Sequence, residues 1–315
     1  MKAPLYAELF CRKRHFMIYT VTFNPAVDLV VDIAEIKPGE VNRLSGEQVF
    51  FGGKGINVSV ILHELGVPTK ALGFSAGFTG AAIEEFMRER GIPTDFIRLS
   101  DGFSRINVKI RSGSETELNG SGPDIDEKSL AMFFERLDEL SEGDTLVLAG
   151  SVPKSLPSDI YERILRHIAG KGVRTAVDAS GELLMNVLKY KPFVVKPNIH
   201  ELGAMFGKTL GSADEAVPYA AKLREMGAVN VLVSMGGDGA LLIDEHGKEH
   251  RCGVCRGTVR NSVGAGDSML AGFIAGCEKG DYGYALKLGT VCGGATAFSD
   301  GLADKAQITA LLSQA

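Results

Sequence analysis

The sequence predicts an α/β fold, with a mostly parallel central sheet covered by helices on both faces and a small separate β-sheet beside it. Two observations carry this. Between residues 144 and 240, short apolar runs alternate with amphipathic stretches, the pattern of strands buried on both faces and joined by crossover helices. Earlier, the regions Asp28 to Phe51 and Ser104 to Asn119 read as β without intervening helices, so they pair as a sheet of their own.

In chain order, residues 1 to 16 read as an N-terminal extension, disordered or foreign to the domain, because Met17 opens a clean strand pattern, "MIYTVTFNP". The small sheet takes "LVVDI" and "EQVFF", then "RINVKI" and "TELN". "FGGKGINVS" (51–59) turns into a helix running through Ile61, Leu62 and Leu65. "DTLVLAG" (144–150), "VRTAVDAS" (173–180) and "FVVKPN" (193–198) are strands, as is the start of "NVLVSMGGDGA" (230–240). Helices are expected over 157–170, with Ile160, Ile164 and Ile168 at helical spacing, near 199–206, over 213–226 and after "NSVGAGD". The chain from 17 to 315 is read as one domain, with no internal repeat and no low-complexity linker.

Composition narrows the function. A chain of 315 residues, 45% hydrophobic and 23% charged, has ordinary globular composition. A net charge of -5 offers no basic face for nucleic acid or an anionic membrane. No apolar run reaches membrane-span length, and the basic cluster Arg12-Lys13-Arg14 lies on the wrong side of the first apolar stretch for a secretion signal. Five cysteines, an odd number, fit a reducing compartment, so a cytoplasmic location is expected. Cys252 and Cys255, with His246 and His250 nearby, have a metal-like spacing that no second CxxC completes; a strand and turn is the simpler account.

In open α/β sheets ligands bind beyond the carboxyl ends of the strands. Asn24, Asp178, Lys196 to Asn198, Ser234 to Gly239 and the turn at 264–267 all follow predicted strands or open helices, so they converge on one cleft. The glycines of "FGGKG" let a ligand approach the backbone, with Lys54 and Asn57 as polar contacts; an ordinary strand-to-helix turn is the alternative. In "GAGD", the amides from Gly264 to Asp267 can hold a transferring phosphoryl group while Asp267 accepts a proton from the attacking hydroxyl, or Asp267 is simply a helix cap. Asn198 and Glu201 fit both a capping box and a water-mediated magnesium site. "SMGGDGA" (234–240) fits a phosphate-approaching turn or a plain hairpin.

Taken together and in this order, FGGKGIN, SRINVKI, AGSVP, VDASG, KPNIHE, SMGGDGA and NSVGAGDSM resemble the ribokinase-like (PfkB) carbohydrate kinases over residues 17–315. That resemblance implies a ribokinase-like three-layer sandwich whose small sheet, from about 28–51 and 104–119, is a β lid that closes over the sugar and often meets the lid of a second subunit, giving a homodimer. It implies ATP and Mg²⁺ as cofactors and a sugar phosphate as substrate. "TFNPAVD", "GGKGINVS", "RINVKI" and "ELNGSGP" are most similar to the branch that phosphorylates fructose 1-phosphate on its 6-hydroxyl. Kinases of tagatose 6-phosphate and of fructose 6-phosphate are neighbouring branches.

The implied roles follow position by position. Asp267 would be the base, with Gly264, Ala265 and Gly266 forming the anion hole. Asp28, Gly53 and Asn57 would bind sugar hydroxyls, with Lys54, Arg105 and Ser151 near the substrate phosphate. ATP would lie over Ser234, Gly236, Gly237 and Gly239, with Lys196 near its phosphates. Asn198, Glu201 and Asp178 would arrange magnesium through water. The sequence departs from the family at Cys292-Gly293-Gly294, where relatives commonly carry alanine and serine, in a stretch expected to border the adenine. Two other classes compete: a non-catalytic sugar-phosphate sensor, against which Asp267 and its glycines are all present, and a nicotinamide dehydrogenase, for which the GxGxxG fingerprint is missing.

Overall fold

The computed structural model describes residues 16–314. The expected extension over 1–16 therefore lies outside the described residues, apart from Phe16, which packs against the core. The strands are β1 (Ile18–Thr22), β2 (Ala26–Asp32), β3 (Gly46–Gly52), β4 (Thr69–Ala76), β5 (Thr94–Leu99), β6 (Arg105–Ser112), β7 (Ser114–Asn119), β8 (Thr145–Ala149), β9 (Arg174–Asp178), β10 (Val194–Val195), β11 (Asn230–Ser234), β12 (Ala240–Ile243) and β13 (Glu249–Cys252). The helices are α1 (Lys54–Glu64), α2 (Gly77–Glu89), α3 (Glu127–Leu137), α4 (Ile160–His167), α5 (Gly181–Val187), α6 (Ile199–Met205), α7 (Ala213–Glu225), α8 (Ala265–Cys277), α9 (Tyr282–Ala297) and α10 (Lys305–Leu312).

Nine strands form one sheet in the order β13-β12-β11-β10-β9-β8-β1-β4-β5. It is parallel from β5 to β11, and β12 and β13 close it antiparallel. Strand alternation divides the core in two. Leu146 and Leu148 of β8, Val177 of β9, and Val231 and Val233 of β11 face a layer containing α3, α4, α5 and α7. Val147, Ala149, Ala176 and Leu232 face α1, α8 and α9. Those last three helices are buried along most of their length, so they are apolar on nearly every side. Glycines let α8 and α9 touch: a Cβ on Gly272 would stand 2.8 Å from Cys292 Sγ, and one on Gly276 2.5 Å from Ala285 Cα.

The second sheet has four strands in the order β3-β2-β6-β7, with β2 and β6 parallel and both outer pairs antiparallel. Its register sets Ala26 beside Arg105 and Asp28 beside Asn107. With a side-chain period of two, one face carries Asp28, Arg105, Asn107 and Lys109. The opposite face carries Leu29, Val49, Ile106, Val108 and Leu118, with Val49 53% and Leu118 57% exposed. This sheet therefore turns its polar side toward the body and its apolar side outward.

The expected α/β class, parallel sheet and separate small sheet are all present. One run is divided: 230–240 is a hairpin, with Ser234 opposite Ala240 and the glycine turn between. Among the described residues no helix is long and apolar enough to cross a membrane.

Candidate active site

Nearest neighbours of β1 in sequence lie on one side of it in the sheet, and β8 starts the other side. At such a switch point the loops leave the carboxyl ends in opposite directions and open a crevice. A hollow of about 420 Å³ lies there, against Thr22, Ala149 and Gly150, and beside it, beyond the carboxyl ends of β9, β10 and β11, opens a cavity of about 1030 Å³ roofed by the small sheet.

Asp267 sits in the first turn of α8, only 6% exposed. Its Oδ2 accepts a hydrogen bond from Asn57 Nδ2 of α1 at 2.8 Å, which ties two motifs 210 residues apart. Burial first, then the nearby Asp178 carboxylate, push its carboxyl up to about 6, while Asn57, Lys54 and Lys196 pull it down. Gly264 caps α8 with φ of 78°, a left-handed conformation suited to glycine. The Ala265 amide donates to the Ser262 carbonyl at 3.2 Å. Of the amides expected to form the anion hole, that of Ala265 is thus engaged within the turn, whereas those of Gly264, Gly266 and Asp267 make no backbone bond among the described residues.

Asp178 ends β9 and is 2% exposed. Its Oδ2 receives Lys196 Nζ at 3.3 Å and Lys54 Nζ at 3.4 Å. Two ammonium groups already answer its charge, which opposes direct contact with a further cation and leaves Asp178 the expected part through water. Desolvation works against the Lys54 ammonium, but Asp178, Asp267 and Glu201 outweigh it and raise its pKa. Lys196 follows β10, is 4% exposed and approaches α8: a Cβ on Gly266 would lie 3.2 Å from its Nζ.

The "GGKG" glycines answer a need beside the expected one, for Gly53 also lines the cavity. A Cβ on Gly53 would stand 2.5 Å from Thr22 Cγ2, and one on Gly55 2.4 Å from the Val21 carbonyl oxygen. It is the chain's own strand β1 that comes close. Space for a ligand exists instead at Gly236 and Gly237, where an added Cβ would meet nothing within 4 Å. Ser234 and Gly239 line the same end of the cavity.

Asn198 and Glu201 form a full capping box at α6: Asn198 Oδ1 accepts from the Glu201 amide, and Glu201 Oε2 from the Asn198 amide, both at 2.8 Å. Both line the cavity, and Glu201 Oε1 makes no protein hydrogen bond. One hard oxygen left open at a cleft wall fits magnesium held through water, a cation that dehydrates reluctantly.

On the small sheet, Asp28 and Arg105 line the cavity. Burial lowers the Arg105 pKa, with Asp28 opposing, and its buried Nε has no partner among the described residues. Ser151 and Asn24, both expected at the cleft, lie outside the main cavity, in the adjoining hollow of about 420 Å³ that Gly53, Lys54, Arg105 and Asp178 share. Sequence reading missed Asn107 and Lys109, which line the main cavity; the alternation of "RINVKI" put them on the face of Arg105 and was the available signal. Thr290, Gly293, Gly294, Ala297 and Phe298 also line it, so the departure at Cys292-Gly293-Gly294 borders the cleft. Cys255 packs there, 3.2 Å from where a Gly294 Cβ would stand, and His250 is paired with Asp244 at 2.8 Å.

The cleft thus joins a buried and an exposed lysine, Lys196 and Lys54, a buried carboxylate of raised pKa and a helix start with open amides, a set suited to holding and passing an anionic group. Comparison with known proteins agrees. The chain is 48% identical over 94% of its length, and 97% of the relative's, to a 1-phosphofructokinase of Bacillus subtilis. It is 37% identical to a D-tagatose-1-phosphate kinase of Bacillus licheniformis, over 95% of this chain and 98% of that one. The crystal structure of phosphofructokinase-2 from Escherichia coli in complex with substrates and products superposes with a TM-score of 0.88 at 25% identity, covering 94% of this chain and 98% of that one. The model of the pfkB family carbohydrate kinases matches residues 21–309, and with the cleft described above this chain belongs to that family.

Proposed function

We propose that this enzyme transfers a phosphoryl group from ATP to the 6-hydroxyl of fructose 1-phosphate. The observation that carries the mechanism is Asp267, buried, held by Asn57 and set at the start of α8. With its pKa raised to about 6 it is mostly ionised at neutral pH yet basic enough to accept a proton. Asn57 occupies Oδ2, leaving Oδ1 for the sugar hydroxyl. The amides of Gly264, Gly266 and Asp267, with Lys196 alongside, stabilise charge spread over the transferring group. Asp178 keeps Lys54 and Lys196 together.

Asp28, Gly53 and Asn57 bind the sugar hydroxyls, and Lys54, Arg105 and Ser151 its phosphate; the unmet Arg105 Nε supports this placement. ATP lies over the hairpin glycines, with its phosphates toward Lys196. Magnesium, held through water by Asn198 and Glu201, would neutralise phosphate charge when bound. The small sheet serves as a lid that excludes water, a competing acceptor, and its apolar outer face supports pairing with a second copy.

The ester and the epimer are tested by kcat/KM for fructose 1-phosphate, fructose 6-phosphate, tagatose 6-phosphate and tagatose 1-phosphate. Preference for fructose 1-phosphate is expected. A preference of about tenfold or more for another ester overturns the reading.

A further inference from the structure

We infer that Lys109 is a positioning residue that fixes how Asp28 presents its carboxylate and thereby sets the preference for fructose over its C4 epimer, tagatose. The inference rests on the proposed placement of Asp28 at the sugar hydroxyls. Lys109 lies on β6, only 7% exposed, and a buried ammonium is stable only when paired. Its Nζ stands 3.4 Å from Asp28 Oδ2 and 3.9 Å from Glu117 Oε1 on β7. The other Asp28 oxygen, Oδ1, accepts from Asn107 Nδ2 at 2.7 Å, and Asn107 Oδ1 accepts in turn from the Gly120 amide at 3.2 Å. Both oxygens of Asp28 are thus held from one strand, and the plane of the carboxylate is fixed.

A carboxylate held this way can accept from hydroxyls in one geometry and not in its mirror arrangement at a single carbon. Fructose and tagatose differ at that one centre. With Lys109 neutralised, Asp28 keeps Asn107 but turns about that single contact, and the epimers become harder to tell apart. Lys109 touches neither reacting atom in this account; it acts through Asp28.

The test is the ratio of kcat/KM for fructose 1-phosphate to that for tagatose 1-phosphate in the full chain, its Lys109→Met variant and its Lys109→Arg variant. Lys109→Met should lower the ratio about tenfold, with the KM for ATP within about twofold of the parent, and Lys109→Arg should recover most of the loss. A folded Lys109→Met whose ratio stays within about twofold of the parent, or whose two substrates fall equally, overturns the inference. Thermal melting checks folding, and Lys109→Gln takes the same test with the same expectations if Lys109→Met does not fold. The parent's own turnover is a separate readout. If it prefers the 6-phosphate ester, the substrate reading fails, and the fructose 6-phosphate to tagatose 6-phosphate ratio still decides the role of Lys109.

Discussion

The two ends of the cleft are made of different material. At the end proposed for the sugar the working groups are charged side chains held by partners that mostly come from distant parts of the chain: Asp28 by Asn107 and Lys109, Asp267 by Asn57, Asp178 by Lys54 and Lys196. At the end proposed for the nucleotide the wall is backbone and space, with bare Gly236 and Gly237 and the exposed Val254 and Val259. The first end is specified by side-chain pairs and should lose its function sharply when one member changes. The second is specified by turn geometry and tolerates small side chains with graded losses.

The largest effect should come from Asp267→Asn. It keeps the hydrogen-bonding shape but removes the base, so kcat should fall about 10²-fold or more while sugar-phosphate binding, measured by calorimetry, is retained. Unchanged turnover would remove Asp267 from its role.

The glycines sharpen the contrast. Gly55→Ala places a methyl 2.4 Å from the Val21 carbonyl oxygen, and overpacking of this kind should cost roughly 1–3 kcal/mol in urea unfolding. Gly237→Ala meets nothing within 4 Å. It should leave the unfolding midpoint unchanged and raise the KM for ATP a few-fold at most.

A smaller, continuous effect is expected from pH. Since the base must be ionised, kcat/KM for the sugar phosphate should drop about tenfold per unit below about pH 6 and level off above it. A profile flat down to pH 5 would contradict the raised carboxyl.

The smallest effect is on stability. Folded Asp267 keeps its proton up to about 6, whereas the unfolded carboxyl releases it near 3.8. Between those values the folded state binds more protons, so this residue lowers stability as pH rises through that window. Melting of Asp267→Asn relative to the parent should therefore improve steadily from pH 4 to about 6 and stay constant beyond it.

How much was legible in the sequence follows the same division. "GAGD", "KPNIHE" and the hairpin turn are local, and their glycines and the Asn198–Glu201 capping box appear as written, although the cap of α8 is Gly264 and not Asp267. The strand and helix rhythm from 144 onward was clear because each element is bounded by turn residues. β4 runs straight into α2 at Gly77 with no such boundary, and α9, apolar on nearly every side, has no amphipathic period to detect. The pairing of Lys54 with Asp178 spans 124 residues and that of Asn107 with Asp28 spans 79, so no window could contain them. The need for glycine at 53 and 55 was legible but its cause was not, because the crowding strand, β1, lies more than a window away.

That crowding has a practical side. With Gly53 and Gly55 wedged against β1, the start of α1 cannot shift to suit a new ligand, and Lys54 and Asn57 hold one fixed arrangement. The polar face of the small sheet is fixed instead by side-chain pairs, Asp28 with Asn107 and Lys109. For a protein engineer it is an exchangeable cassette: new sugar preferences should be sought by redesigning β6 and β7 as a unit, leaving the "GGKG" turn untouched.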